Sequence, residues 1–450
     1  MRRALGTGWW FGLGHFTIGL NWIATAFYYQ NAMPHWLGWC AVVALSLYLA
    51  VYPAAAVGLA WRYGRGDRIA FSLWLAAAWI VTEYLRASLF TGFAWNPLGV
   101  TLVDIAQLTR WIGTYGLSAI VILGAGAVTA LGFGRWRQAS VLAAPLLGTA
   151  LLALLLPSTP AAGPNAPQIH VVQPDINQNE KQSEALAERN YNRLVALTGK
   201  PASRTRLILW PEAAIPDYLE EEAWARYRLA GLLGPNDILL TGGDTLIYDK
   251  TGALAAARNS LFALDARAAI LGRYDKAHLV PYGEYLPMRP FLTALGLSRL
   301  VPGEGDILPG PGPRTLDLPG FGRVGAQICY EIVFSGEVVD RANRPDFLVN
   351  PSNDAWFGAF GPPQHFAQAR LRALEEGLPV IRSTPTGITG VIDAQGRIVA
   401  RLPMHEEGVI DTRVPEAAAA TPFALLGNLL PLAFALLLVA GAIAVRRKTR

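Results

Sequence analysis

Six stretches of this chain run for the length of a membrane crossing with almost no charge: residues 9–29, 39–60, 69–89, 111–133, 139–156 and 423–445. A helix rises 1.5 Å per residue, so about 20 apolar residues bridge the hydrocarbon core of a bilayer. The pattern predicts an α-helical transmembrane bundle of about six spans, five before a polar region and one after it. Pro- and Ala-rich linkers at 157–164 and 415–422 bound that region. The expected domains are therefore a transmembrane part at 1–157, a polar domain at 168–413 and a closing helix at 423–445. Inside 168–413 the periodicity changes. Short β-rich runs at 169–172, 207–210, 238–240, 260–264, 324–328, 347–349 and 391–392 read as strands, and 184–197, 220–233 and 363–376 read as helices. Such interleaving predicts an α/β layered domain, long enough to bury its own core. No internal repeat is evident.

Composition agrees. Of 450 residues, 52% are hydrophobic and only 16% charged, and the mean hydropathy of +0.29 is too apolar for an ordinary soluble chain. The first apolar stretch lacks a small-residue cleavage site with a polar continuation, so it reads as a retained helix and not as a signal peptide. A net charge of +5 would suggest nucleic acid if the basic residues formed a patch. They sit instead at span ends: Arg2 and Arg3; Arg62, Arg65 and Arg68; Arg135 and Arg137; Arg446, Arg447, Lys448 and Arg450. The alternate connections, 30–36 and 157–168, are almost uncharged, so the positive-inside rule puts both termini in the cytoplasm and the polar domain on the outer face. Within the third stretch, Glu83 and Arg86 are costly charges at membrane depth. Their spacing allows them to pair; the alternative is that they line a lipid or substrate entry path. The following outer loop, 91–97, is rich in turn and aromatic residues.

The chain has two cysteines. Cys40 lies in an apolar stretch, which leaves Cys329 as a lone thiol in the polar domain, either a core filler or a nucleophile. Three segments end a strand-like run with an ionisable residue: 207–212, which closes on Glu212; 273–284, which carries Lys276 and Glu284; and 324–329, which closes on Cys329. A thiol needs a base to become a thiolate near neutral pH. A carboxylate can serve if partial burial raises its pKa. The oxyanion formed on attack needs a fixed donor, which a lysine ammonium supplies. Glu, Lys and Cys are thus chemically sufficient for acyl transfer, although spacing alone does not bring them together. The six histidines are scattered without metal-ligand spacing, and His278 and His365 read as structural hydrogen-bonders. With no phosphate-binding glycine loop and no Gly-x-Ser-x-Gly elbow, neither metal nor cofactor is expected.

Several motifs together carry a resemblance. Trp210-Pro211-Glu212, the stretch from Lys276 through His278-Leu279-Val280-Pro281 to Gly283-Glu284, and Cys329-Tyr330-Glu331 occur in the order seen in the nitrilase (carbon–nitrogen hydrolase) superfamily. Asn353-Asp354-Ala355-Trp356-Phe357-Gly358, Gln364-His365, Arg372-Ala373-Leu374-Glu375, Glu83-Tyr84-Leu85-Arg86 and Thr91-Gly92-Phe93-Ala94-Trp95 extend the likeness to both halves. The chain resembles the membrane branch of that superfamily, the apolipoprotein N-acyltransferases. The resemblance implies an αββα sandwich with Glu212 as general base, Lys276 as oxyanion stabiliser and Cys329 as nucleophile. It implies Glu284 as an accessory acid and Tyr330 and Glu331 as supporting residues. The implied reaction moves an acyl chain from a phospholipid onto Cys329 as a thioester, then onto the α-amine of a diacylglyceryl-cysteine apolipoprotein. The implied setting is a monomer in the bacterial inner membrane with a periplasmic catalytic domain. Holding both lipid-anchored substrates at one leaflet makes the search local, and a water-poor pocket protects the thioester.

The chain departs from the family's usual pattern in three places. Two further spans usually precede the point where it begins, so six are expected where eight are usual. Asn179-Glu180-Lys181-Gln182 stands where an aromatic is common, and Pro385 stands where an asparagine is common. Two other readings stay open: a membrane-tethered amidase using the same triad, and a scaffold without catalysis. The apolar segment 285–310, with Phe291, Leu292, Leu295, Leu297, Leu300 and Val301, suits acyl chains better than a small amide.

Overall fold

A computed structural model describes residues 1–30, 33–155, 162–202, 204–300 and 306–448. Most of the first expected linker, Val301 of the apolar segment and Arg450 of the C-terminal basic cluster lie outside the described residues. Among those described, five helices have the length and apolarity to cross a membrane: Leu37–Gly64, Arg68–Ser88, Thr109–Gly132, Trp136–Leu155 and Leu429–Lys448. The expected first span, 9–29, has a different form. A helix of 18 residues, Arg2–Gly19, precedes a short helix, Ile23–Ala26. Its glycines and His15 dilute the apolar run, and they have a packing use. A Cβ added at Gly8 would lie 2.6 Å from the Pro53 carbonyl oxygen, and one at Gly12 2.9 Å from the Ala50 Cα. This four-residue spacing of small residues lets two backbones approach closely.

Glu83 and Arg86 pair, at 3.8 Å, and both are buried. Glu83 also accepts from Trp79 Nε1 (3.3 Å), and further bonds go to the segment that follows. Arg86 donates to the carbonyls of Phe93 (2.9 Å) and Trp95 (2.7 Å), and Glu83 accepts from the Leu98 amide (2.9 Å). The pair therefore anchors the loop 91–97, the first of the two roles its spacing allowed.

The polar domain is two sheets. The strands are β1 (Gln168–Gln173), β2 (Arg206–Leu209), β3 (Ile238–Tyr248), β4 (Leu254–Asp265), β5 (Ile270–Asp275), β6 (Asp306–Ile307), β7 (Thr315–Leu318), β8 (Gly322–Ala326), β9 (Phe347–Pro351), β10 (Val380–Ser383), β11 (Thr389–Ile392), β12 (Ile398–Leu402) and β13 (Gly408–Arg413). One sheet runs β13-β1-β2-β3-β4-β5 with β6 beside β4, and the other runs β12-β11-β10-β9-β8-β7. The central pairs β1–β2, β2–β3, β8–β9 and β9–β10 are parallel.

Alternation along the strands sorts the core into two layers. Ile169, Val171, Leu207, Leu209, Ile238, Leu240, Leu261 and Ala263 join the cluster shared with the second sheet. Val172, Ile208, Leu239, Phe262 and Leu264 face the other way, onto Tyr191 and Leu194 of the helix Ala187–Thr198 and Ala225 and Leu229 of the helix Ala223–Ala230. On the second sheet, the helix Gly361–Glu376 packs through Phe366, Ala369 and Ala373. The layers are helix, sheet, sheet, helix, as the resemblance implied.

That last helix also docks the sandwich on the membrane helices. Gly113, at φ +62°, breaks the helix Thr109–Gly132 and leaves the Thr114 amide without an intrahelical acceptor. Glu375 Oε1 takes that amide (2.6 Å), the Thr114 hydroxyl (2.7 Å) and the Ser335 hydroxyl (2.7 Å). Glu375 also pairs with Arg372 (3.1 Å), whose guanidinium donates to Thr114. Removing one member of a buried ionic network leaves the others uncompensated, at a cost of about 3–5 kcal/mol. Glu375→Ala should therefore lower the apparent Tm in detergent by several degrees, with a smaller fall for Glu375→Gln, which keeps an acceptor. An unchanged Tm would remove this network as the joint between the halves.

Candidate active site

Glu212, Lys276 and Cys329 come from different strand ends, and backbone pairing decides where each lands. After β2, residues 210–214 lie along β3, with the Trp210 amide on the Leu240 carbonyl (2.9 Å) and the Ala214 amide on the Gly242 carbonyl (3.0 Å). Gly242 is required there, because a Cβ would come within 2.9 Å of the Glu212 Cα. Lys276 follows β5, its amide bonded to the Asn259 carbonyl of β4 (2.9 Å), and its own carbonyl accepts from Gly310 (2.8 Å).

These bonds bring the side chains into contact. Lys276 Nζ lies 3.1 Å from Glu212 Oε1 and 2.9 Å from Glu284 Oε1. Asn259 Nδ2 donates to the same two oxygens, at 2.7 and 3.3 Å. Glu284 Oε2 accepts from the Val280 amide (2.8 Å), which closes the turn carrying it. Lys276 is 1% exposed and Glu212 and Glu284 are 6% exposed, so the charges are matched by each other and not by water. Burial works to lower the Lys276 pKa, yet Glu212 and Glu284 hold it well above the ordinary lysine value. Burial likewise works to raise Glu212, and Lys276, Lys181 and the Asn259 hydrogen bond outweigh it, leaving the carboxyl below the ordinary range. The sequence-level expectation that burial raises this carboxyl is thereby reversed: a cation at 3.1 Å overrides desolvation.

Cys329 follows β8 and opens a short 3-10 turn, Cys329–Val333, with φ at +50°. A non-glycine residue in the left-handed region is strained and needs support from its surroundings. Two groups hold its carbonyl, His365 Nε2 at 3.0 Å and Asn350 Nδ2 at 3.4 Å. Burial and the charge on Arg382 keep the His365 ring below its ordinary pKa, against the pull of Asp354. Its Nε2 faces the Cys329 carbonyl, and its Nδ1 lies 2.9 Å from both Asp354 Oδ1 and the Arg382 guanidinium. The Cys329 thiol is 4% exposed. Burial, then the negative charge of Glu212, push it well above the ordinary thiol value, opposed by Lys276 and by a hydrogen bond from the Asn353 backbone. The resting state is thus an ionised carboxylate, an ammonium and a neutral thiol.

Glu331 ties the turn to the lysine loop. Its Oε1 accepts from Tyr274 (2.8 Å) and from the amides of Ala277 (2.7 Å) and His278 (3.0 Å), and Oε2 from the Ile328 amide (2.6 Å). Burial pushes this carboxyl up to about 7, against those donors. Tyr330 joins an aromatic layer instead. Its ring lies 5.1 Å from Phe334, 5.9 Å from His278 and 6.2 Å from Trp95. Trp95, from the membrane-half loop, has no exposed surface. It also packs on Trp22, Phe357 and His365, and bonds Gln364 at 2.8 Å. A cleft of about 340 Å³ opens against His278, Gln327, Glu331 and Phe334.

Sequence reasoning missed two polar residues here. Asn259 carries no motif signal, because only the pairing of β4 with β5 sets it beside Lys276. Lys181, on the short helix Gln178–Gln182, donates to the Glu212 carbonyl at 2.8 Å. The stretch that holds it drew notice only for its missing aromatic. Gln182 itself is exposed, and Pro385 sits in the turn between β10 and β11.

Comparison with known proteins agrees with this architecture. Residues 166–423 match the carbon-nitrogen hydrolase family, and residues 1–127 match the apolipoprotein N-acyltransferase N-terminal domain. A protein of Rhodopseudomonas palustris named apolipoprotein N-acyltransferase is 35% identical over 460 residues, covering 98% of this chain and 85% of its own length. One of the same name from Rhizobium rhizogenes is 36% identical, covering 92% of this chain and 80% of its own.

The charge states set an expectation for the thiol. A pKa above the ordinary value means less thiolate at pH 8, so Cys329 in a Cys40→Ala background should alkylate with iodoacetamide many times more slowly than a free thiol. Glu212→Gln removes the charge that holds the thiol up and should speed alkylation. Intact mass against time reads both, and rapid alkylation of the parent protein would contradict the buried neutral thiol.

Proposed function

The chain belongs to the apolipoprotein N-acyltransferase family, within the carbon-nitrogen hydrolases, and from that membership we propose a phospholipid-dependent acyl transfer through a thioester on Cys329. It is an enzyme of lipoprotein maturation carried on membrane-spanning helices. The donor, the intermediate and the roles of the individual residues are our reading.

In the first half-reaction Cys329 Sγ attacks an ester carbonyl of the phospholipid while Glu212 takes the thiol proton. The oxyanion develops beside Lys276, whose ammonium is already held by Glu212 and Glu284, themselves bonded by Asn259, and needs no reorganisation. Collapse breaks the ester C–O bond, and the proton on Glu212 passes to the departing lysophospholipid alkoxide. In the second half-reaction the neutral α-amine of a diacylglyceryl-cysteine apolipoprotein attacks the thioester. Glu212 accepts the amine proton, the C–S bond breaks, and the proton returns to sulfur. The high thiol pKa and the low carboxyl pKa make proton transfer unfavourable at rest. The nucleophile then forms only when a carbonyl is in place to receive it.

One observation favours a lipid substrate over a small amide: the turn bearing Cys329 is packed on the membrane half, with Tyr330 against a wholly buried Trp95. Met288, Phe291 and Leu295, on and beside the helix Arg289–Ala294, are 54%, 62% and 62% exposed. Large apolar surface left open on the segment that follows Glu284 suits acyl chains. The outward, periplasmic placement of the sandwich rests on the distribution of basic residues at span ends.

Protein purified in detergent and mixed with phospholipid should gain one acyl chain in mass, and hydroxylamine should remove it. Cys329→Ala should show no adduct, and Glu212→Gln should form it at least about 100-fold more slowly, the scale of a positioned general base. A diacylglyceryl-cysteine peptide should then discharge the adduct as an N-acyl peptide. An adduct on Cys329→Ala would overturn the thioester, and discharge only to water would favour an amidase.

A further inference from the structure

The cations of this site have unequal duties. Lys276 is matched by two carboxylates and is 1% exposed, so it has no hydrogen left for a substrate's anionic group outside the reacting carbonyl. Lys181 is different. Among the described residues it forms no ion pair. One N–H goes to the main-chain carbonyl of Glu212 at 2.8 Å. With the Asn353 amide in the orientation that satisfies its neighbours, a second goes to its side-chain oxygen at 3.2 Å. An ammonium has three donors, and both of these partners are neutral, so one donor is uncommitted. Burial lowers the Lys181 pKa from the ordinary lysine value, opposed by the nearby charges of Glu212 and Asp244. A half-buried cation beside the nucleophile with only neutral direct partners is poised for an anion brought by a ligand.

Charge balance leads to the same conclusion. Glu212, Glu284 and Lys276 together carry one net negative charge. Without Lys181 that cluster would repel a phosphodiester as it nears the thiol; Lys181 offsets part of that negative charge, to which Asp244 also contributes.

We propose that Lys181 is a specificity residue that binds the anionic phosphodiester of the acyl donor, holding the headgroup side of the glycerol ester while its acyl carbonyl faces Cys329. This rests on the phospholipid-dependent reading above and adds to it the part of the donor that is recognised. Lys276 then deals with charge that develops during reaction, and Lys181 with charge the donor already carries. It also gives the stretch 179–182 a function that does not depend on the aromatic absent there.

The test compares two donors in the same detergent: a diacyl phospholipid and an uncharged acyl p-nitrophenyl ester. Both would load the same thiol, but only the first brings a phosphodiester. Lys181→Met should lower kcat/KM for phospholipid loading of Cys329 about 10- to 100-fold more than for the neutral ester, the range of one charge-assisted hydrogen bond. The loss should fall mainly on KM, and Lys181→Arg should recover most of it. Equal losses with both donors would mean that Lys181 only holds the Glu212 turn, and no loss with phospholipid would mean that it meets no substrate. Either result overturns the inference and leaves the thioester reading standing. A wild-type protein loaded by neither donor overturns both.

Discussion

Everything in the catalytic half is arranged around one buried contact, the ammonium of Lys276 held between the carboxylates of Glu212 and Glu284. Removing three charges from water is costly, and the interior accepts them only with good geometry and the remaining hydrogen bonds satisfied. Asn259 supplies those bonds to both carboxylates, and it can do so only because β4 and β5 pair in one register. Gly242 lets the Glu212 turn lie on β3. The cluster is therefore a product of sheet register, and a one-residue slip in β3, β4 or β5 would separate its members.

The same contact sets the chemistry available to Cys329. A negative carboxylate and a dry site raise the thiol, while the ammonium and a backbone amide pull the other way. The strained turn at Cys329 survives because its carbonyl is held by His365 and Asn350, and because Glu331 binds the amides on both sides of the cleft. In the proposed reaction, a carbonyl substrate completes this arrangement. At rest Cys329 is not a standing thiolate.

The membrane half supports this site directly. Arg86 and Glu83 use buried charge to fix the loop that presents Trp95, and Trp95 closes the aromatic layer behind Tyr330. Glu375 caps the broken helix at Thr114 from the sandwich side. One polar joint, at Glu375, and one aromatic joint, at Trp95, therefore orient the sandwich on the bundle. An arrangement of this kind suits substrates that arrive along a bilayer.

Much of this was legible in the sequence for physical reasons. Membrane crossings need long uncharged runs, and central strands buried on both faces need continuous apolar ones, so most of the bundle and the strands at 169–172, 207–210 and 347–349 are evident from hydropathy. Glu212, Lys276 and Cys329 could be named because each follows a strand-like run and stands in a motif. Strands β5 and β13 were hidden because these edge strands carry Gly, Arg and Asp, which interrupt the apolar signature; β10 and β12 are short runs broken by Arg382 and Arg401 and were missed as well. Only the tertiary structure could decide that Asn259 and Lys181 meet Glu212, that Glu375 reaches Thr114 across 261 positions, and that Glu212 is held low where burial alone would raise it. Sequence records which groups can ionise. Their charge states depend on distances of about 3 Å that exist only once strands far apart in the chain are paired.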